Sequence, residues 1–483
     1  MILGNPINKY KKLPIPAKAS LWYVICNILQ KGVAFFVIPI YVRILTTAEY
    51  GKYSTFLSWK DILIIFATLN LYYGVFTKAM IDYDDDRARY TSCMQGLCTL
   101  LTSVLLIFYL SFWDFWNRIL EMDSITICLL FAYFIFYPAY IFWSVKQRVT
   151  YEYKRLIVLS IFVTIITPAF SIAMLVYTDL REKALIWGFL LTYCVLGGVF
   201  YIVQMIEGRK LYVKEYWIHA LKFNIPLISY YLSLIVLGQS DRIMIKNISG
   251  SDKAGIYTLA YQLSMVMVIF TDAVSSSLTP WTYEKLKAKQ FSSLNNIPSN
   301  LCMILSTAIM GIDLIAPELI KVIGTDEYSS AIWVIPPVTF SVFIMFCYGL
   351  YGNIEFYYDS TSYAMIASVI GAIINIILNA LLIPKYGFIA AGYTTAFSYG
   401  VIFTLHYIFT KKIRRRELNN AVIYNDKSII GMSFILCAFS GICIMLYKMS
   451  FFIRYIIIFL LMIILFCNRN EIKRLLDYKN KSE

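Results

Sequence analysis

Asp241 and Arg242 lie inside the apolar run 223–245, where an acid and a base are not needed to make a helix. Charge at bilayer depth costs free energy, so groups kept there pair with one another, bind a small ion or hold a charged ligand. Lys31 poses the same problem ten residues into the apolar run 21–45. At about 1.5 Å per residue it sits roughly 15 Å along a helix, near the middle of a hydrocarbon core about 30 Å thick and too deep to snorkel out. An ammonium group there costs about 2.5–3.5 kcal/mol and needs water, a counter-charge or a bound anion to offset it. Asn27 and Gln30 share a helical face with Lys31 at three- and four-residue steps, and Tyr257 and Tyr261 share another. These six residues (Lys31, Asn27, Gln30, Arg242, Tyr257, Tyr261) are the candidate substrate contacts. Asp61, Asp272 and Asp241 are the candidate ion-coupling carboxylates, with Asp61 and Asp272 favoured because each shares a stripe with hydroxyl side chains. Lys60, next to Asp61, points in another direction on an ideal helix. Each of these groups also has a plainer use. Lys31 could form a fixed ion pair with Asp61, Asp313 could pair with a neighbouring helix, and Asn375 and Asn379 could bond between packed helices.

This chemistry is binding, and the sequence offers little for catalysis. There are 2 histidines, His219 and His406, and the 10 cysteines are scattered with no C-x-x-C pair. H-E-x-x-H and phosphate-loop patterns are absent. No catalytic residue, metal site or cofactor is expected.

The elements that must position these residues follow from hydropathy. With 59% hydrophobic and 15% charged residues, the chain is far from the roughly 25% charge of soluble domains and reads as an all-α polytopic membrane protein. The net charge of +14 belongs to loops beside anionic lipid, and no nucleic-acid module is present. Six apolar runs lie at 21–45, 54–77, 92–113, 125–145, 157–177 and 185–206. Six more lie at 223–245, 256–278, 301–323, 332–351, 364–383 and 388–409, and two at 428–447 and 452–467, giving about fourteen transmembrane helices. The expected domains are an N-terminal six-helix bundle (1–206), a cytoplasmic linker (207–222), a C-terminal six-helix bundle (223–410), a basic cytoplasmic linker (411–427), and two extra helices with a tail (428–483). Lysine and arginine collect in the tails and alternate loops, which places both termini in the cytoplasm. An even number of helices in each half makes the halves a parallel repeat, the architecture of a transporter working by alternating access around a central cavity.

Two stretches carry the repeat. Pro39-Ile40-Tyr41-Val42-Arg43-Ile44-Leu45 leads to Glu49-Tyr50-Gly51-Lys52-Tyr53, and Asp241-Arg242-Ile243-Met244-Ile245 leads to Ala254-Gly255-Ile256-Tyr257. Together with Ala316-Pro317-Glu318-Leu319-Ile320-Lys321-Val322-Ile323-Gly324 and Pro384-Lys385-Tyr386-Gly387, they resemble the polysaccharide flippases of the multidrug/oligosaccharidyl-lipid/polysaccharide exporter superfamily. The resemblance runs from about residue 21 to 409. It implies a transporter, not an enzyme, in the bacterial cytoplasmic (inner) membrane. Such a protein flips undecaprenyl-pyrophosphate-linked oligosaccharide to the periplasmic leaflet for O-antigen (lipopolysaccharide) or capsule assembly. The implied partners are the lipid-linked oligosaccharide, membrane lipid, a glycan polymerase and a chain-length regulator. Two alternatives stay open: a cation-coupled drug or metabolite antiporter of the same superfamily, and a membrane-bound glycan polymerase or acyltransferase. Lys31 tilts the balance toward an anionic substrate.

Overall fold

The computed structural model describes residues 14–449 and 451–467. The basic segment before residue 14 and the charged tail after 467 lie outside the described residues. Among the described residues the chain is helical throughout, with no strand. It forms two compact units, Met1–Leu45 with Lys52–Ile235, and Thr46–Gly51 with Val236–Glu483. The unit boundary falls inside two continuous helices, Thr47–Thr68 and Ile228–Ser249.

The first unit contains α1 (Ile15–Ile44), most of α2 (Thr47–Thr68), α3 (Val75–Asp82), α4 (Arg87–Ser111), α5 (Trp113–Leu120) and α6 (Ser124–Val149). It continues with α7 (Tyr153–Tyr177), α8 (Glu182–Gly208), α9 (Lys214–Asn224) and the start of α10 (Ile228–Ser249). Helix α8 packs along α4, α6 and α7, and α1 lies on α7. The core of this unit is built from Phe76, Met94 and Phe142 on one side and from Phe56, Phe134 and Leu190 on the other.

The second unit contains the rest of α10, then α11 (Ser251–Ser264), α12 (Val266–Lys287), α13 (Phe291–Ile323) and α14 (Ile335–Tyr357). α15 (Thr361–Tyr386), α16 (Ile389–Glu417), α17 (Asp426–Leu446) and α18 (Phe451–Cys467) complete it. Helix α14 is its centre, packed on α12, α13, α16 and α17, with Phe343, Cys347, Leu350 and Ile354 buried among them.

Among the described residues, eleven helices are long and apolar enough to cross a membrane. The remaining three expected spans correspond to α2, which carries Glu49, Lys52, Lys60 and Asp61, to α16, which ends in Arg414, Arg415 and Arg416, and to α18.

Several boundaries differ from the sequence expectation, each for a local reason. The second span was expected from residue 54, but α2 begins at Thr47. Thr46 and Glu49 form a reciprocal capping box there: the Thr46 N–H donates to Glu49 Oε2 at 2.8 Å, and the Glu49 N–H donates to Thr46 Oγ1 at 3.3 Å. The second span was also expected to run unbroken to 77. Instead α2 stops at Thr68, and Leu69 (φ 48°) and Asn70 (φ 51°) take left-handed conformations that non-glycine residues seldom adopt. The Leu69 carbonyl freed by the break accepts a hydrogen bond from Asn224 Nδ2 at 2.9 Å. The loop expected at 247–253 is a single residue between helices, Gly250, at φ +100°. The linker expected at 207–222 contains α9, and the ninth span begins at Phe291 in place of 301.

The paired glycines of the repeat meet. A Cβ on Gly51 would lie 1.8 Å from the Ser251 carbonyl oxygen, and one on Gly255 would lie 2.0 Å from that of Thr47. Within the second unit the first turns of α2 and α11 therefore touch backbone to backbone, an approach that any side chain would block.

Candidate functional site

On α1, Asn27 and Gln30 line a cavity of about 110 Å³ with Tyr23 and Cys26 from the same helix, Arg148 from α6 and Ser160 from α7. The Arg148 guanidinium lies 5.9 Å from the centre of the Tyr23 ring. Lys31, one turn beyond Asn27, is half-buried on the same helix and engaged in an interaction of its own. The structure thus adds Arg148 to the face that sequence periodicity had assembled. The apolar run 125–145 ends before Arg148 and leaves it to the following loop, whereas α6 extends to Val149 and carries it in the last turn.

On α2, Lys60 Nζ and Asp61 Oδ1 are 2.8 Å apart. This corrects the expectation that the two point apart: consecutive side chains do diverge on a helix, but the lysine chain is long enough to fold back. Lys60 also lies 5.0 Å from the centre of the Phe189 ring and 5.9 Å from that of Tyr133, so aromatic faces share its charge.

In the second unit, Asp241 is fully buried and surrounded by donors from three other helices. Tyr257 Oη of α11 donates to Oδ2 at 2.6 Å, Thr395 Oγ1 of α16 donates to Oδ2 at 2.6 Å, and Asn379 Nδ2 of α15 donates to Oδ1 at 2.6 Å. A second ring of bonds supports the first. Asn379 donates to Asn375 Oδ1 at 3.1 Å, Ser240 donates to Asn375 Oδ1 at 3.3 Å, Asn375 donates to Thr395 Oγ1 at 3.2 Å, and the Thr394 hydroxyl donates to Asn379 Oδ1. Asn375 and Asn379 thus bond between helices. Each carboxamide has one fixed orientation in this network, so that two hydroxyls and one amide N–H face the carboxylate while the amide oxygens are turned to other donors. The neighbouring Arg242 faces elsewhere. Its Nη1 donates to the Gly238 carbonyl at 2.7 Å and to Gln239 Oε1 at 2.9 Å, and its guanidinium carbon lies 4.3 Å from the Tyr261 ring centre. Asp241, Arg242, Tyr257 and Tyr261 therefore form one constellation.

The structure separates the other candidates. Lys31, Asn27, Gln30 and Asp61 belong to the first unit, and Asp272 belongs to the second, exposed on α12. Asp313 is fully buried on α13, where Oδ1 accepts from Thr339 Oγ1 of α14 at 2.7 Å. Among the described residues, no group of three or more His, Cys, Asp or Glu side chains is arranged to hold a metal ion.

Comparison with known proteins gives this architecture a family. Residues 17–284, more than half of the chain, match the family described as polysaccharide biosynthesis protein. The Lsg locus putative protein 1 of Haemophilus influenzae is 25% identical over 281 residues, which cover 56% of this chain and 67% of that protein. The probable low-salt glycan biosynthesis flippase Agl15 of Haloferax volcanii is 21% identical over 206 residues, covering 39% of this chain and 44% of that protein. The match thus spans about two thirds of one relative and less than half of the other. In fold, the chain is similar to the lipid II flippase MurJ in an inward closed conformation, with a TM-score of 0.65 at 14% identity over 92% of this chain and 100% of that one. It is also similar to an inward-facing multidrug resistance MATE family transporter, with a TM-score of 0.61 at 12% identity over 81% of this chain and 96% of that one. The chain is an all-α polytopic membrane protein with the fold shared by these transporters, and it belongs to the polysaccharide biosynthesis protein family.

Proposed function

We infer that this protein is a transporter that moves undecaprenyl-pyrophosphate-linked oligosaccharide from the cytoplasmic to the periplasmic leaflet of a bacterial inner membrane, by alternating access, in O-antigen or capsule assembly. The observation that carries the reading is the cavity on α1, where a guanidinium (Arg148) and two carboxamides (Asn27 and Gln30) converge within membrane-spanning helices. A forked donor set of that kind suits a pyrophosphate, since guanidinium and amide N–H groups meet phosphate oxygens at hydrogen-bond distance. Lys31, one turn along α1, adds a cation on the helix that carries Asn27 and Gln30. Within the second unit, Arg242, Tyr257 and Tyr261 remain the candidate substrate contacts. The match to the polysaccharide biosynthesis family and the flippase name of the Haloferax relative support the same reading. A cationic lining selects against the cationic substrates of a drug exporter.

Coupling to an ion gradient is assigned to Asp241 ahead of Asp61 and Asp272. Its carboxylate is buried and contacted by two hydroxyl groups, whose oxygens are of the kind that bind a small cation, whereas Asp61 already pairs with Lys60. Both termini are placed in the cytoplasm by the distribution of basic residues.

The test is leaflet transfer of a pyrophosphate-linked oligosaccharide in proteoliposomes. Wild-type protein transfers it, Arg148→Ala does not, and glycan-free phospholipid is not moved by either. Transfer undiminished in both Arg148→Ala and Lys31→Ala would refute the anion site.

A further inference from the structure

The first unit holds a larger cavity, of about 300 Å³, whose walls include Lys60, Asp61, Tyr72, Tyr73, Tyr133 and Tyr137. It lies at the break in α2. Had the helix continued past Thr68, its next turn would have carried Tyr72 and Tyr73 elsewhere; the left-handed Leu69 and Asn70 turn the chain so that both tyrosines and Asn70 line the cavity. Opposite, on α6, Tyr133 and Tyr137 stack at 4.7 Å between ring centres with an interplanar angle of 20°, and Tyr72 and Tyr73 form an edge-to-face pair at 4.8 Å. Lys60, Asp61 and Asn70 give the lining its polar groups, and the tyrosines with Ile64, Leu234 and Ile235 give it aromatic and aliphatic surface.

The geometry points to a carbohydrate subsite: this cavity receives a sugar ring of the lipid-linked glycan, while the pyrophosphate is held by the Arg148 cavity. The inference rests on the lipid-linked oligosaccharide reading above. Its size is near the lower end of the roughly 300–1,000 Å³ typical of small-molecule sites, which suits one or two pyranose rings and not a polyprenyl chain. A pyranose presents an apolar C–H face to an aromatic ring and hydroxyl groups at its edge, and tyrosine supplies both a flat apolar body and a polar tip. The Lys60–Asp61 pair supplies a donor and an acceptor side by side, matching neighbouring ring hydroxyls. The pair is also electrically neutral overall, and aromatic rings cover the ammonium group, so the cavity offers an anion no net attraction. That distinguishes it from the cavity of Arg148, where the guanidinium is not opposed by a carboxylate among the lining residues. Charge thus divides the two cavities between the two chemical parts of one substrate.

The experiment measures binding to the protein in lipid nanodiscs with three probes: the undecaprenyl-pyrophosphate-linked oligosaccharide, undecaprenyl pyrophosphate without glycan, and the oligosaccharide released from its carrier. Tyr73→Leu and Tyr137→Leu replace a half-exposed and a partly buried wall residue, and folding of each variant is checked by thermal unfolding. Asp61→Asn keeps the shape and breaks the neutral pair. The expected result is binding of the glycan-bearing carrier weakened about tenfold or more in the tyrosine variants, with binding of the glycan-free carrier unchanged within twofold. The released oligosaccharide binds more weakly than the intact carrier and loses its binding in the same variants. Equal weakening for both carriers, or no weakening in folded variants, overturns the subsite. If wild-type protein binds the released oligosaccharide but neither carrier, the subsite stands and the lipid-carrier reading falls.

Discussion

The contact between Gly51 and Gly255 gives a prediction whose size can be worked from the structure. A Cβ on Gly51 would sit 1.8 Å from the Ser251 carbonyl oxygen, well inside the 3.0 Å that Cβ contacts essentially never cross. The obstacle is backbone on both sides, so no side chain can swing away, and the first turns of α2 and α11 must separate by more than an ångström. Overpacking of that kind costs about 1–3 kcal/mol or more, partly offset by the roughly 0.8–1 kcal/mol by which alanine favours a helix over glycine. Gly51→Ala is therefore expected to destabilise by about 1–2 kcal/mol or more, and Gly255→Ala by a similar amount. Because one separation of the helices relieves both clashes, the double variant should cost little more than either single one, a coupling of about 1–2 kcal/mol in a double-mutant cycle. The assay is reversible denaturant unfolding of the purified protein in mixed micelles. Gly311→Ala serves as control, since a Cβ there meets no atom within 4 Å. Additive costs for the two glycines, or a Gly51→Ala cost no larger than that of Gly311→Ala, would refute the backbone contact.

Three further outcomes are expected. Asp241→Asn should leave the carrier bound but remove the dependence of transfer on an imposed Na⁺ or H⁺ gradient, whereas Asp272→Asn should keep that dependence; proteoliposome transfer with and without the gradient decides between them. Lys31→Arg should retain measurable transfer and Lys31→Ala should lose it while staying inserted, and a Lys31→Ala defect cured by Asp61→Asn would make Lys31 a structural partner instead. Asp123 caps α6, where it accepts from Thr126 Oγ1 at 2.8 Å and pairs with Lys183 at 3.3 Å. Partial burial pushes its carboxyl upward, but these contacts outweigh it and hold the group below its usual range. A depressed carboxyl contributes stability above the unfolded value of about 3.9 and loses it as pH falls through the lower folded value. Asp123→Ala should therefore cost about 1 kcal/mol near pH 7, and the gap in thermal midpoint between wild type and variant should close below about pH 4.

The helices were legible because their apolar runs are long, and several site candidates were legible because charge inside such a run is conspicuous. Asp241 and Tyr257 are found this way: both stand out locally, and sixteen residues of chain bring them together. Thr395 and Asn379 were beyond reach as partners of Asp241, since 154 and 138 residues intervene and hydroxyl and amide groups are common in packed membrane helices. Arg148 was missed for a different reason. A basic residue at the end of an apolar run looks like a loop residue, and only the length of α6 and the position of α1 turn it inward. The start of α2 was readable after all, because Thr46 and Glu49 are the two residues of a capping box at the required spacing. The break at Leu69 was not, because neither glycine nor proline marks it; tertiary contacts hold a leucine in a conformation its own sequence does not favour.

The bond between Asn224 and the Leu69 carbonyl ties the break in α2 to a helix that does not line the larger cavity. Asn224 ends α9, and Leu69 begins the segment that carries Asn70, Tyr72 and Tyr73 into the larger cavity. A displacement of α9 reaches the cavity lining through this amide and through Tyr216 and Ala220, which share a hydrophobic core with Tyr72. A shift of α9 of about 1 Å exceeds the range of a hydrogen bond and would leave a strained turn free to rewind. The placement of Asn70, Tyr72 and Tyr73 thus depends in part on a residue outside the cavity's own lining.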